Sequence, residues 1–323
     1  MNPEMLSGWV PIRCYWQNGR PLLDWCYLGN HRLTNPVFEY AIEHQLRNPF
    51  SLLFRHQTDF DALADLYESS PGLKPAGFIF HISHCGSTLF SRVLGALDHN
   101  IVISEPGVLE IAFRTHPRYR LFTDDQRITF MRWLINALGQ KRLGNESGYF
   151  IKFESYAILD LPLIALAFPD VPWVFLYREP VPVMVSNLRE RSGRSLPGAI
   201  DPAILGLDLQ SVMSMRFEEY VAMTINRMCQ AALSYANGKG LLINYTQLPD
   251  VIWSRVLPFF GLEYPSGDVD KMNAVSSFNA KQPDAKYVDD TEAKKRQASA
   301  FLLEMAEKWI VPVYQELEAK RLA

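Results

Sequence analysis

Five short apolar runs recur along the last three-quarters of the chain: Phe78 to Ile82, Ile101 to Ile103, Tyr149 to Ile151, Val171 to Tyr177 and Leu241 to Ile243. Each is bounded by polar or turn-forming residues, the pattern of a strand buried on both faces. Between the runs the apolar period lengthens to that of a helix. Leu89, Phe90, Val93, Leu94 and Leu97 share one helical face, as do Phe130, Leu134 and Leu138 behind the start signal Thr123-Asp124-Asp125-Gln126. Ile158 to Phe168 predicts a helix that tolerates Pro162 near its start, and Pro182 opens another containing Ser186. Val212, Met215, Tyr220, Val221, Ile225, Met228, Cys229 and Ala232 predict one long helix over 210–236, closed by Asn237-Gly238. A further helix begins near Pro249 and ends before Gly261, and 262–290 reads as loop. The last helix opens on a capping-box pattern, Asp289-Asp290-Thr291-Glu292, and is interrupted by Pro312. Strands alternating with helices predict a three-layer α/β sandwich: a central, mostly parallel sheet of about five strands with helices on both faces.

The N-terminal part has a different pattern. Apolar and aromatic runs from Trp9 to Trp16 and from Leu22 to Leu28 flank Asn18-Gly19, a strong two-residue hairpin signal. In that register Cys14 faces Leu23 and Cys26 faces Pro11, so the two thiols do not meet. Pro36 to Leu46 and Asp59 to Tyr67 read as short helices before the Ser-Ser-Pro-Gly linker at 69–72. The chain therefore divides into an N-terminal extension, 1–72, and an α/β domain, 73–323.

Composition narrows the function classes. A net charge of -3 argues against a general nucleic-acid binder, so basic groups matter only where they cluster. The four cysteines show neither CxxC spacing nor a disulfide framework. No signal peptide and no membrane-length apolar run is evident, and the expectation is a reduced, cytoplasmic setting.

In a parallel sheet, ligands bind outside the carboxyl ends of the strands. The distinctive polar residues here all follow strands: Ser83-His84-Cys85-Gly86-Ser87-Thr88, Glu105, Lys152 to Glu154, Arg178 and Tyr245. The first of these joins a strand to a helix through small residues and hydroxyls. Unpaired backbone N–H groups and the helix dipole make such a turn a phosphate cradle. A second anion site pairs Arg178 with Ser186, eight residues on and near a helix N-terminus.

These residues, in this order, resemble the PAPS-dependent sulfotransferases, with the likeness spanning roughly 77–260. Ser83-His84-Cys85-Gly86-Ser87-Thr88 occupies the place of that family's Pro-Lys/Arg-Ser-Gly-Thr-Thr loop. Arg178-Glu179-Pro180 with Ser186 matches its Arg-Asp-Pro motif and following serine, and Asn244-Tyr245-Thr246-Gln247-Leu248 is similar to its Tyr-Glu-Asp-Leu strand end. The resemblance implies a P-loop-like fold and PAPS as sulfonate donor, with PAP as product and no metal. Ser83, His84, Cys85, Gly86, Ser87 and Thr88 would line the 5′-phosphosulfate. Arg178, Ser186 and Tyr245 would hold the 3′-phosphate, and Lys152 would lie at the sulfonate end. The base has two candidates. Glu105 stands where tyrosylprotein-sulfotransferase-like members carry a glutamate, and Glu154 where cytosolic members carry a histidine. Glu105 is preferred, because a carboxylate beside an anionic donor needs a function to offset the repulsion.

Two departures stand out. His84 replaces a permanent cation by a group with an unperturbed pKa of about 6.5, and Val181-Pro182 replaces the charged pair after Arg-Asp-Pro. Arg189, Arg191 and Arg194 offer further phosphate contacts or a solvated helix face. The implied acceptor is a small molecule or peptide carrying a hydroxyl or amine. Its identity, like the oligomeric state, is not written in the sequence. The main alternative is a non-catalytic nucleotide- or PAP-binding module that has lost the loop lysine; a phosphate-handling enzyme is the lesser one. A cysteine-phosphatase reading of Cys85 fails on spacing, since the arginine is Arg92 where Ser91 would have to be one. His81, His84 and Cys85 lack a fourth metal ligand, and strand alternation turns the two histidines apart.

Overall fold

The computed structural model describes residues 6–17, 20–35, 37–113, 122–191, 196–198, 201–236, 238–278 and 290–323. Two sheets organise them. The smaller is antiparallel and contains β1 (Trp9–Gln17), β2 (Arg20–Tyr27) and β3 (His56–Asp59) in that order. Around it lie α1 (Phe38–Leu46), α2 (Pro49–Leu53) and α3 (Asp61–Ser69). The larger sheet is wholly parallel in its pairings. It is built from β4 (Gly77–His81), β5 (Asn100–Ser104), β6 (Gly148–Lys152), β7 (Trp173–Tyr177) and β8 (Gly240–Asn244), in the spatial order β5-β6-β4-β7-β8. The expected sheet of about five strands is thus what the chain forms.

The helices on this sheet are α4 (Ser87–Gly95), α5 (Asp124–Leu138), α6 (Leu161–Ala167), α7 (Pro180–Arg189), α8 (Leu209–Ser214) and α9 (Phe217–Tyr235). They continue as α10 (Leu257–Phe259), α11 (Ser266–Ser276), α12 (Thr291–Lys295), α13 (Ala300–Met305) and α14 (Val311–Leu322). β4, β5, β6 and β7 are buried along their whole length, which is why they read as continuous apolar runs rather than alternating ones. Phe80 stacks on Phe153 with centroids 5.0 Å apart, and Phe78 meets the same ring edge-on. One continuous hydrophobic core runs from Leu6 through the sheet to Leu317. A buried phenylalanine there contributes about 1.5–3 kcal/mol.

Several expectations need correction. The helix over 210–236 is two helices, α8 and α9, parted where Met215 and Arg216 adopt extended ψ angles of 149° and 146°. The spacing of five from Met215 to Tyr220 breaks the helical phase, and Arg216 turns out to lay its guanidinium 3.6 Å from the Phe301 ring centre. Residues 262–278 are not loop but contain α11, which buries only Met272 and so shows almost no apolar period. β3 and α2 were not expected; β3 is a short edge strand held by pairing to β2. In the hairpin, Cys14 does face Leu23, but a bulge between Pro11 and Arg13 moves Cys26 opposite Val10. All four cysteines are free thiols. Asn18-Gly19, Asn237 and Asp289 lie outside the described residues. Asp290 does precede α12 but makes no side-chain cap, because its carboxylate pairs instead with Lys294 at 2.7 Å. Pro312 falls in the first turn of α14, after a π-helical turn over Ala306–Ile310. Among the described residues no helix is long and apolar enough to cross a membrane.

Candidate functional site

The parallel register brings the strand ends level. Ser104 is opposite Lys152, and Tyr177 is opposite Asn244. The residues that follow, Ile82 to Thr88, Glu105, Phe153-Glu154, Arg178 and Tyr245, therefore share the carboxyl edge of the sheet.

The loop from β4 to α4 is tightly wound. Gly86, which caps α4, has φ of +89°, and a Cβ there would lie 2.8 Å from Tyr245 Cδ2 and 2.7 Å from Leu248 Cδ1. Only glycine suits that position. Phe90 N–H returns to the Gly86 carbonyl, so the N–H groups of Ser87, Thr88 and Leu89 have no carbonyl one turn back. First-turn N–H groups of this kind are the donors that an anion can meet at a helix N-terminus. Cys85 and Ser87 are buried, whereas Ser83, His84 and Thr88 are partly open. Ser83 Oγ donates to Asn187 Oδ1 at 2.9 Å, tying the loop to α7. His84 Nδ1 is 4.0 Å from Glu190 Oε2, the outer limit of an ion pair.

His84 and Glu105 are the non-glycine residues with positive φ among the described residues, at +58° and +57°. Side chains in that region carry roughly 1–2 kcal/mol of strain, and such residues concentrate at functional sites. Glu105 N–H donates to the Lys152 carbonyl at 2.6 Å, which fixes the twist of the chain as it leaves β5. Its carboxylate then folds back onto Lys152: Nζ to Oε1 is 2.7 Å, with the lysine side chain 1% exposed and the glutamate 23%. Burial opposes the carboxylate's charge. The lysine and the nearby His81 outweigh it and hold the group well below the usual carboxylate range. Lys152 thus directs its ammonium at Glu105. Glu154 caps the 3-10 turn Ser155–Asp160 through its backbone carbonyl, which accepts from Ala157 N–H at 2.9 Å.

The opposite flank is built differently. Arg178 is 6% exposed and stacks over the Tyr245 ring with its Cζ 4.0 Å from the centroid. Its Nη2 donates to Thr291 Oγ1 at 2.7 Å and lies 3.5 Å from Asp290 Oδ1. Lys295, on the same short helix, pairs with Glu179 at 2.8 Å. Ser186 is buried, and its hydroxyl donates to the Pro182 carbonyl one turn earlier at 2.8 Å. Tyr245 joins the two flanks, touching Arg178 on one side and crowding the Gly86 loop on the other. Arg189 and Arg191 are exposed, Arg191 lying on Phe217, and Arg194 is outside the described residues.

The tertiary structure therefore brings Glu105 and Lys152 into contact, and Arg178 and Tyr245 likewise. It leaves Ser186 with its proton committed to the backbone. Three residues absent from the sequence-derived site belong to it by contact: His81 beside Glu105, and Asp290 and Thr291 beside Arg178. A histidine closing an otherwise apolar strand was the available signal for the first. No local signal existed for the other two, since Thr291 is 113 residues from the arginine it meets.

No protein-family model matches the sequence, and no curated protein matches it. Among solved structures the chain is similar to sulfotransferase STF9 from Mycobacterium avium, at 12% identity and a TM-score of 0.44 over 77% of this chain and 81% of that one. A sulfotransferase from Alicyclobacillus acidocaldarius gives 16%, 0.42, 77% and 96% by the same measures. The sulfotransferase domain of the Synechococcus PCC 7002 olefin synthase gives 14%, 0.42, 74% and 96%. Likeness at this level leaves the role of each residue to be decided by this chain's own side chains.

Proposed function

We propose that the chain transfers a sulfonate group from PAPS to a hydroxyl or amine acceptor, with Glu105 as the general base. The observation that carries this reading is the backbone of Glu105. A carboxylate in a strained left-handed conformation, at the ligand edge of the sheet and beside an anion cradle, is costly unless used. The first turn of α4 would hold the 5′-phosphosulfate through its N–H groups and the Ser87 and Thr88 hydroxyls. Arg178, flattened on Tyr245, would take the 3′-phosphate once that phosphate replaces the Thr291 and Asp290 contacts. Ser186 would contribute only after giving up its bond to Pro182. His84, within the loop itself, stands in the place of the lysine or arginine of the family that the sequence resembles.

In this reaction the acceptor O–H or N–H bond breaks and its proton passes to the Glu105 carboxylate. The acceptor atom bonds to sulfur while the bond from sulfur to the 5′-phosphate oxygen breaks, its electron pair leaving with PAP. The depressed proton affinity of Glu105 makes it a weak base as positioned, so the acceptor has to approach closely for transfer.

Calorimetry with PAP, followed by a transfer assay using labelled PAPS and a panel of phenols, amines and tyrosine peptides, tests the proposal. Glu105→Gln is expected to keep PAP binding and lose about 10²–10⁴ in turnover. PAP binding by the wild-type chain without transfer to any acceptor favours the non-catalytic module, and absence of PAP binding removes both readings. A Glu105→Gln enzyme of normal rate moves the base to Glu154 or elsewhere.

A further inference from the structure

Behind Glu105 stands a buried histidine that the proposed reaction leaves unused. His81 is the last residue of β4, the middle strand of the five, where the preceding residues are Gly77, Phe78, Ile79 and Phe80. Its side chain is 6% exposed. Nδ1 lies 3.0 Å from the carbonyl oxygen of Ile82, a contact that is favourable only when Nδ1 carries a proton. Nε2 is buried with no aligned hydrogen-bond partner and is 3.3 Å from Glu105 Oε1.

Lys152 Nζ meets that same oxygen at 2.7 Å. Two nitrogens thus converge on Oε1. With Nδ1 already a donor, Nε2 attracts a carboxylate oxygen only if it too is protonated. A neutral ring would turn a lone pair toward Oε1 and repel it. An apolar side chain at this place would avoid the cost of burying a polar nitrogen. The histidine therefore needs a role.

We infer that His81 is a positioning residue: together with Lys152 it holds Oε1 of Glu105 from behind, so that Oε2 is the oxygen presented to the acceptor. The activity part of this inference rests on the transfer reading above; the clamp itself does not. The groups facing the imidazole are Glu105 after β5, Lys152 on β6 and Cys85 in the loop after β4. Burial and the lysine oppose a charge on the ring. Hydrogen bonding to Cys85 and Glu105, and the glutamate's field, outweigh them and raise the ring to about 10. Two cations around one carboxylate fix its rotation. When the acceptor proton reaches Oε2, Oε1 still accepts from both nitrogens, so the neutral acid keeps the orientation of the carboxylate.

The test has two arms on the full chain. In the first, glutamate carboxyl carbons are labelled with ¹³C, and Glu105 is identified by the resonance lost in Glu105→Gln. Wild-type Glu105 is expected to stay ionised well below the ordinary glutamate range, and His81→Phe is expected to raise its midpoint by about one pH unit or more. His81→Gln, which offers one N–H to Oε1, should fall between them and serves if the phenylalanine variant does not fold. An unchanged midpoint in a folded His81 variant overturns the clamp. In the second arm, transfer from PAPS to 4-nitrophenol is expected to lose kcat by about 10–100-fold in His81→Phe, with the KM for PAPS unchanged and part of kcat kept by His81→Gln. A drop confined to KM, or equal loss in both variants, overturns the positioning role. If the wild type transfers nothing, the transfer reading falls and the carboxyl titration still decides the clamp.

Discussion

On the β5–β6 flank of the sheet edge, Glu105, Lys152 and His81 are buried together, and the charges are met inside the protein within 3.3 Å. On the β7–β8 flank, Arg178 is just as buried, but its partners Thr291 and Asp290 come from the C-terminal segment, and Asp290 is half exposed. The first group is built on two neighbouring strands, β4 and β6, and the residue after β5. The second borrows a hydroxyl and a carboxylate that, under the proposed function, an arriving phosphate would replace. On the proposed reading, one flank is fixed in advance and the other would exchange partners when a phosphate arrives. That division suits a site that must orient a base rigidly while admitting and releasing an anion.

The sharpest way to break the contrast is at Lys152. Lys152→Met removes one half of a buried ion pair and leaves Glu105 with His81 alone. It should destabilise the fold by about 3–5 kcal/mol, read from urea unfolding. Arg178→Ala should leave the fold nearly unaffected by comparison and weaken PAP by about 10–100-fold in calorimetry, the loss of charge-assisted hydrogen bonds to a phosphate. A large stability loss at Arg178, or an unaffected fold at Lys152, would erase the distinction between the flanks.

Smaller changes refine it. Asp290→Asn removes the carboxylate that stands 3.5 Å from Arg178 and that, under the proposed function, would compete with a phosphate for it. PAP binding should tighten by roughly threefold to tenfold, most clearly at low salt, because a like charge beside the ligand is lost. Unchanged affinity would mean that Asp290 already swings clear of the bound anion.

The least expected effect is on acid stability, through a third cluster under the β7–β8 flank. Glu318 pairs with Arg321 at 2.7 Å and accepts from the Tyr177 hydroxyl and from Asn244. Burial opposes its charge, but these partners pull its pKa from 4.5 down to about 2. A group depressed in the folded state binds its proton more readily when unfolded. Its stabilisation is therefore present above about pH 4.5 and lost as the pH falls toward 2. Glu318→Gln should flatten the decline in thermal midpoint across that window and leave the midpoint's slope above pH 5 unchanged.

The alternation of buried strands with amphipathic helices was legible because a parallel sheet covered on both faces demands apolar residues at consecutive positions. The elements that escaped, β3, α2 and α11, are those whose burial is slight or one-sided. The slip at Met215 to Tyr220 was visible in the spacing, but the break itself is held by Arg216 on Phe301, a contact no local window contains. In the candidate site, Glu105, Lys152, Arg178 and Tyr245, but not His81, could be named in advance, since polar groups at the ends of buried strands have one edge to occupy. Their partners could not. Ser186 matches a spacing, yet its hydroxyl is held by Pro182, which only the helix geometry shows.

The sequence alone thus determined the five strands of the parallel sheet and most of the helices between them, the small-residue loop at Ser83 to Thr88 and the chemical types gathered at one edge. These follow from local periodicity and from the chemistry of individual side chains. Tertiary structure decided which groups meet. It placed β6 between β5 and β4, so that Lys152 joins Glu105 and His81, and it laid Thr291 and Asp290 over Arg178. The reason is physical: charge pairing and hydrogen bonding depend on separations of about 3 Å, and such separations between residues distant in the chain are fixed only when the core closes.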